Sequence, residues 1–159
     1  MKEQQKKYEL TDEFIEIFGG KKLYRIKALV SFGVVVAGQL GGFIESEKNL
    51  DQSLSGNAWV SGNARVYGSA RVYGDAWVRS HAVISEHKMI FWASNVGSEN
   101  GTLTVFNGKD GLIVTRGCFT GTVDEFLAKS AEVHDDKTKN EYKLLIEVAK
   151  SRILGVKDE

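Results

Sequence analysis

Seven residues that suit molecular recognition recur at fixed phase in one stretch of the chain: Trp59, Arg65, Tyr67, Arg71, Tyr73, Trp77 and Arg79. A guanidinium group reads carboxylates and phosphates through a rigid fork of donors, and aromatic rings supply flat apolar area. These residue types dominate the energetics of protein interfaces, so the pattern points to docking. Residues suited to bond-making chemistry are scattered by comparison. His81 falls at a repeat position that Asn57, Asn63, Ser69 and Asp75 occupy elsewhere, which reads as a turn. His87 has no base–orienter partner beside it in sequence, and His134 precedes Asp135-Asp136 as a solvated helix end. Cys118 is the single cysteine and reads as a small hydrophobe near a turn, without a partner for a thiolate site. Asp124 and Glu125 read as first-turn helix acids rather than a catalytic pair. No spacing matches a zinc site and no GxxxxGK[ST] loop is present. The sequence names no catalytic residue, no metal ligand and no cofactor.

The elements that position these residues come from a repeat. Residues 56–85 read GNAWVS, GNARVY, GSARVY, GDAWVR, SHAVIS. The third position is alanine (Ala58, Ala64, Ala70, Ala76, Ala82), and the fifth is aliphatic (Val60, Val66, Val72, Val78, Ile84), with Leu54 in the same phase one step earlier. This period predicts a short left-handed parallel β-helix, each hexad giving one strand and one corner, with coils stacked about 4.8 Å apart. The leading glycines suit corners of positive φ. Three hexads per coil would place Trp59 over Trp77 and Arg65 over Val83. Alternation would turn Arg65, Tyr67, Arg71, Tyr73 and Arg79 outward as partner-binding residues. Trp59 and Trp77 are expected at an oligomer interface or beneath a cap. Fewer than two coils cannot bury a sufficient core, so the repeat must be capped, extended or stacked in an oligomer.

Three regions follow. Residues 1–7 are expected to fray. Residues 8–53 would hold a hairpin (13–18 and 23–29, turning at Gly19-Gly20-Lys21-Lys22) and an irregular first coil at 32–44. Phe14, Ile17, Leu23 and Ile26 are its expected buried positions, with Val36, Leu40 and Ile44 pointing inward, and 45–53 reads as a polar excursion. Residues 54–85 are the β-helix. Residues 86–159 would form an α+β cap. Strands are expected at 88–94, 102–107 and 111–116, followed by two helices opened by Thr-x-x-Glu capping boxes at Thr122–Glu125 and Thr138–Glu141. Val123, Phe126, Leu127 and Ala131 mark the buried face of the first helix. Tyr142, Leu145, Val148, Ala149 and Ile153 mark that of the second. The expected fold class is thus mainly β with an α+β tail.

Composition narrows the partner. The chain carries 21 basic and 21 acidic residues, and three arginines against one aspartate in the repeat give only a mildly basic surface. Direct nucleic-acid binding is not favoured on that charge. One cysteine fits a reducing compartment, no apolar run is long enough for a bilayer, and MKEQQKKYEL lacks the apolar core of a signal peptide.

The opening (YELTDEFIEI…LYRIKALVSFGVVVAGQLGGFIESEKNL), the hexads, and the ending (NVGSENGTLTVF…GLIVTRGCFTGTVDEF) resemble hexapeptide-repeat proteins common in bacteriophage and prophage genomes. This chain would be a short form, since such proteins usually carry many more hexads. The resemblance implies a cytoplasmic protein of a bacterial host. With the outward Arg and Tyr residues it implies a non-enzymatic inhibitor that docks on a host protein or ribonucleoprotein. A bacterial antiviral defence, for example a CRISPR effector, is the expected target, and a homo-oligomer, dimer favoured, the expected state. The alternatives are a polymer-forming structural protein, a nucleotide-binding sponge, and, least favoured, an acyltransferase using His81 or His87.

Overall fold

The computed structural model describes residues 6–155. The expectation that residues 1–7 fray falls, for residues 1–5, outside the described residues. At Lys7 it is corrected, because that side chain is fully buried and its Nζ donates to the Ala58 carbonyl at 2.9 Å.

The chain opens with an antiparallel hairpin, β1 (Tyr8–Ile17) and β2 (Lys21–Ala28), joined by a short 3-10 turn in which Gly19 takes φ 82°. β3 (Leu40–Ile44) follows, then four strands of two residues each: β4 (Trp59–Val60), β5 (Arg65–Val66), β6 (Trp77–Val78) and β7 (Val83–Ile84). The C-terminal half holds β8 (Ile90–Val96), β9 (Gly101–Gly108), β10 (Gly111–Arg116) and β11 (Phe119–Thr122). Helices α1 (Val123–Val133) and α2 (Asp136–Leu154) complete it.

The expected left-handed parallel β-helix is corrected by this topology. The larger sheets are a five-stranded mixed sheet, order β1-β2-β3-β5-β7, and a four-stranded antiparallel sheet, order β11-β10-β9-β8. Antiparallel pairing joins β1, β2 and β3, whereas parallel pairing is confined to the short ladders β3-β5, β5-β7 and β4-β6 and the isolated Leu50–Val72 bridge. The physical reason is strand length. A hexad yields only two residues of ladder, so the longer flanking strands organise the sheets. The C-terminal sheet also gains a fourth strand, β11, where three were expected.

The repeat nevertheless sets local register. Trp59 pairs with Trp77, Val60 with Val78, and Arg65 with Val83, each eighteen residues on. Gly62, Gly68 and Gly74 turn at φ 67°, 63° and 65°, and Ser80 keeps the same phase at φ 65°. The five alanines and the five aliphatic positions of the hexads are buried. Leu54 is not among them, being 48% exposed; Leu50, from the supposed polar excursion, is buried and bridges in parallel to Val72. Asn49 beside it is buried and its Nδ2 donates to the carbonyls of Ala70 and Gly68.

Two cores result. The first joins the hairpin, the hexads, Ile90 and Phe106; the second joins Leu103, Val105 and Val114 to Phe126, Tyr142, Ile146, Ala149 and Ile153. Alternation along β9 explains the division, since Leu103 and Val105 face the helices while Thr104 and Phe106 face the hexads. Several expected buried positions shift. Leu23, Ile26 and Ile44 are buried and Ile17, Leu127 and Leu145 half-buried, but Phe14, Val36, Leu40 and Val148 are exposed; Val35 is buried instead of Val36, and Ile146 instead of Val148. Ala131 is exposed and Ser130 is buried in its stead. The Thr122–Glu125 capping box forms, with both reciprocal hydrogen bonds. The second helix is instead capped by Asp135, whose side chain accepts from the Thr138 N–H. Glu141 accepts from the Gly97 N–H at 2.6 Å.

Candidate functional site

The hexad residues singled out for recognition divide among three surfaces. Arg65 lies in a row across the mixed sheet, Arg25–Phe43–Arg65–Val83. The opposite row, Ile44–Val66–Ile84, is buried in the first core, so alternation turns the Arg65 row outward. Arg25 is already occupied: it pairs with Glu13 at 2.9 Å, stacks 4.4 Å over the Phe43 ring and donates to the Gly41 carbonyl. Arg65 is exposed and has no carboxylate within 4.0 Å among the described residues. Tyr67, two residues on, shares its face and is half-buried.

Arg71 and Tyr73 flank Val72 on a second surface. The Arg71 guanidinium lies 5.6 Å from the centre of the Tyr73 ring, and that ring meets Trp92 edge-on at 4.6 Å. Tyr73 remains 48% exposed. Sequence spacing did not foresee Trp92 here, because it belongs to β8, outside the repeat.

Trp59 and Trp77 stack in register yet differ in surroundings. Trp59 is buried by its own chain, edge-on to Tyr8 at 6.4 Å and to Phe32 at 5.4 Å. A side chain at Gly41 would collide with its ring, which is why LGGFI must carry glycine there. Trp77 is half-buried and held at three points. Its N–H donates to Thr104 Oγ1 at 3.2 Å, its carbonyl accepts from Thr115 Oγ1 at 2.8 Å, and its indole Nε1 donates to the Asn57 carbonyl at 3.0 Å. Two threonine hydroxyls thus satisfy the free edge of β6, which no further strand pairs. Thr104 and Thr115 were not recognised in the sequence, where they read as ordinary members of apolar strands.

Arg79 departs most from its expected role as a free outward residue. It stacks 4.5 Å over the Trp77 ring and donates to Thr120 Oγ1 and the Gly117 carbonyl, both at 2.9 Å. Burial pushes its guanidinium below the ordinary value, with the neighbouring Cys118 acting in the opposite direction. Arg79 and Trp77 form part of the wall of a cleft of about 470 Å³ between the hexads and the C-terminal sheet. Arg116 lines the same cleft, its Nη1 3.5 Å from Glu99 and its guanidinium 5.7 Å from the centre of the Tyr142 ring.

Lys7 is a buried cation that the sequence did not reveal. Its Nζ lies 4.7 Å from the centre of the Phe32 ring, and burial lowers its pKa, with Asp51 and Asp75 opposing. Its place in a polar N-terminal run gave no periodic signal. His81 and His87 are exposed, Cys118 is exposed in the cleft, and His134 hydrogen-bonds Ser130. Among the described residues no group of three or more His, Cys, Asp or Glu side chains is placed to hold a metal ion. Nor is any helix among them long and apolar enough to cross a membrane. No family model, curated protein or solved structure matches this chain.

Proposed function

We propose that the chain is a non-enzymatic binding protein that docks on a partner protein through the outward face of β3, β5 and β7, with Arg65 at its centre. The observation that carries this reading is the state of Arg65. It is an exposed arginine on a hydrogen-bonded ladder, between Phe43, buried beneath Arg25, and half-buried Val83. It has no carboxylate within 4.0 Å among the described residues, while neighbouring Arg25 is neutralised by Glu13. The ladder fixes the Arg65 backbone, so binding must order the side chain but not the strand that carries it. Such a surface favours an acidic partner and gives arginine the place of an interface hot spot. The phage-type resemblance supplies the finer reading: a host protein or ribonucleoprotein as target, with the chain acting as an inhibitor of a bacterial antiviral defence. The Arg71–Tyr73–Trp92 cluster is a second, smaller contact on an adjoining surface.

The test is affinity capture from a bacterial lysate with wild type, Arg65→Glu and Arg71→Glu as baits. A stoichiometric protein held by wild type and weakened at least about tenfold by Arg65→Glu is expected, that being the effect of losing about 1.4 kcal/mol. Arg71→Glu should weaken capture less. Undiminished capture by Arg65→Glu, or recovery of the bait alone, overturns the reading.

A further inference from the structure

We infer that the cleft between the hexads and the C-terminal sheet is a binding site for a small ligand carrying a flat aromatic ring and a single anionic group. Its volume, about 470 Å³, lies in the range of small-molecule sites. Two of its walls are apolar. One is the Trp77 indole, whose Nε1 is tied to the Asn57 carbonyl and whose backbone is held by Thr104 and Thr115 before any ligand arrives. Another is Val34, an aliphatic side chain 72% exposed at the lip of the cleft. A planar ring entering beside them would shield both from water, and contact with the part of the Trp77 indole that the Arg79 guanidinium leaves uncovered adds to that gain.

The charge requirement comes from bookkeeping of the lining. It contains two arginines, Arg79 and Arg116, and two acids, Asp75 and Glu99. Glu99, 3.5 Å from Arg116 Nη1, offsets the charge of Arg116, although the Nε and Nη2 of that guanidinium are buried without a hydrogen-bond partner among the described residues. Asp75 sits at a hexad corner, where its Oδ1 accepts the Asn57 N–H at 3.1 Å. Arg79 remains as the cation without a carboxylate: of the five N–H donors of a guanidinium, two are taken, and both go to neutral oxygens. A partly desolvated cation of this kind gains from an anion that supplies both charge and acceptors. The two acids set an upper limit. A polyphosphate would bring several negative charges against Asp75 and Glu99, whereas one carboxylate, or one phosphate monoester of at most about two charges, is within what Arg79 and the unpartnered donors of Arg116 can meet. This inference is independent of the docking face around Arg65, which lies on another surface.

The cleft carries its own probe, since Cys118, the single cysteine of the chain, lines it and is exposed. The experiment measures the rate of Cys118 alkylation by iodoacetamide, with adenosine 5′-monophosphate and indole-3-acetate as the two anionic ring compounds. Adenosine and inorganic phosphate serve as the ring without the charge and the charge without the ring. One or both anionic compounds should slow alkylation by about tenfold at about ten times the dissociation constant, the protection that occupancy alone gives. Protection by the monophosphate only, or by indole-3-acetate only, supports the site and identifies which ring–anion combination it accepts. Arg79→Gln should abolish the protection. Should that variant fold poorly, Val34→Asp places a like charge at the exposed lip without removing a packed side chain, and should abolish it too. Arg65→Glu should leave protection intact. Equal protection by adenosine removes the anion requirement, equal protection by phosphate removes the ring requirement, and no protection by any compound at millimolar concentration removes the site; each overturns the inference.

Discussion

The hexad segment and the C-terminal sheet with its helices solve the same problem, burying a face of short strands, by opposite means. The hexads bury small residues: five alanines form a floor, and glycine corners bring backbones so close that a side chain at Gly56 would overlap the Gly74 carbonyl. The C-terminal half buries large ones, with Phe126 edge-on to both Phe119 and Tyr142 at 5.5 and 5.1 Å. A floor of alanines removes little apolar area per residue from water, so the hexads depend on what packs against them. Tyr8, Lys7 and Phe32 come from one side; Phe106 and Ile113, from β9 and β10, come from the other. The C-terminal half needs no such loan, because α1 and α2 cover the helix-facing side of its own sheet. The difference teaches that a regular repeat can fix the spacing of strands while leaving their stability to neighbours that do not repeat.

The largest test of that dependence is Phe106→Ala. Phe106 is fully buried in the first core although β9 belongs to the C-terminal sheet. Loss of a buried phenylalanine costs about 3–5 kcal/mol, a large part of the stability of a domain this size. Denaturant unfolding followed by tryptophan fluorescence reports chiefly on the hexad side, through Trp59, Trp77 and Trp92. Far-ultraviolet circular dichroism reports on the helices. If the hexads lean on β9, the variant should lose fluorescence at a much lower midpoint while the helical signal follows or lags. An unchanged fluorescence midpoint would break the comparison.

The same asymmetry decides how much could be read from the sequence. Position within a hexad determined the burial of Ala64 or Val66 and the pairing of Trp59 with Trp77, because a six-residue period repeats the same local sterics five times. It did not determine the sheet architecture, since pairing between Arg25, Phe43 and Arg65 joins a hairpin to the repeat through contacts no local pattern encodes. Leu50 replaced Leu54 for a related reason. Ile44 and Leu50 keep the six-residue step, but ten residues separate Leu50 from Val60. The four extra residues in 51–59 stretch the interval between stacked residues from eighteen to twenty-two, so Leu50 rather than Leu54 meets its neighbour Val72. At the candidate sites, the outward placement of Arg65 and Arg71 was legible from alternation. The engagement of Arg79 by Gly117 and Thr120 was not, because those acceptors lie about forty residues away on a separate sheet.

A middle-sized effect sharpens the contact between the two regions. Thr104→Val keeps the shape of a buried side chain but removes the oxygen that accepts the Trp77 N–H. A buried donor left without a partner costs about 1–3 kcal/mol. Thermal unfolding should show that loss, and Thr104→Ser, which restores the hydroxyl, should recover most of it. Should valine prove neutral, the hydroxyl contact is not what closes the open edge of β6, and apolar packing alone seals the two regions together.

The smallest effect concerns charge and tests whether the hexad corners, like the helix starts, are held by carboxylates. Glu45 Oε1 accepts the N–H of Gly68, a corner residue, at 2.9 Å, and Oε2 pairs with Lys21 at 2.9 Å. The Gly68 N–H, and after it Lys21, hold the Glu45 carboxyl below its ordinary pKa. A carboxyl whose pKa is lower in the folded chain stabilises it fully above the ordinary carboxylate value and loses that contribution as pH falls through the lowered one. The pair is partly open to solvent, so its worth at neutral pH is below about 1 kcal/mol and shrinks further with salt. Glu45→Gln should therefore shift neutral-pH stability slightly and flatten the acid limb of the stability–pH curve. Asp135→Asn offers the counterpart at the start of α2, where the Thr138 N–H lowers the Asp135 pKa in the same way. Asparagine caps a helix about as well as aspartate, so that variant should change only the acid limb. An acid limb that Asp135→Asn flattens and Glu45→Gln does not would restrict carboxylate anchoring to the helical half, and leave the hexad corners to glycine geometry alone.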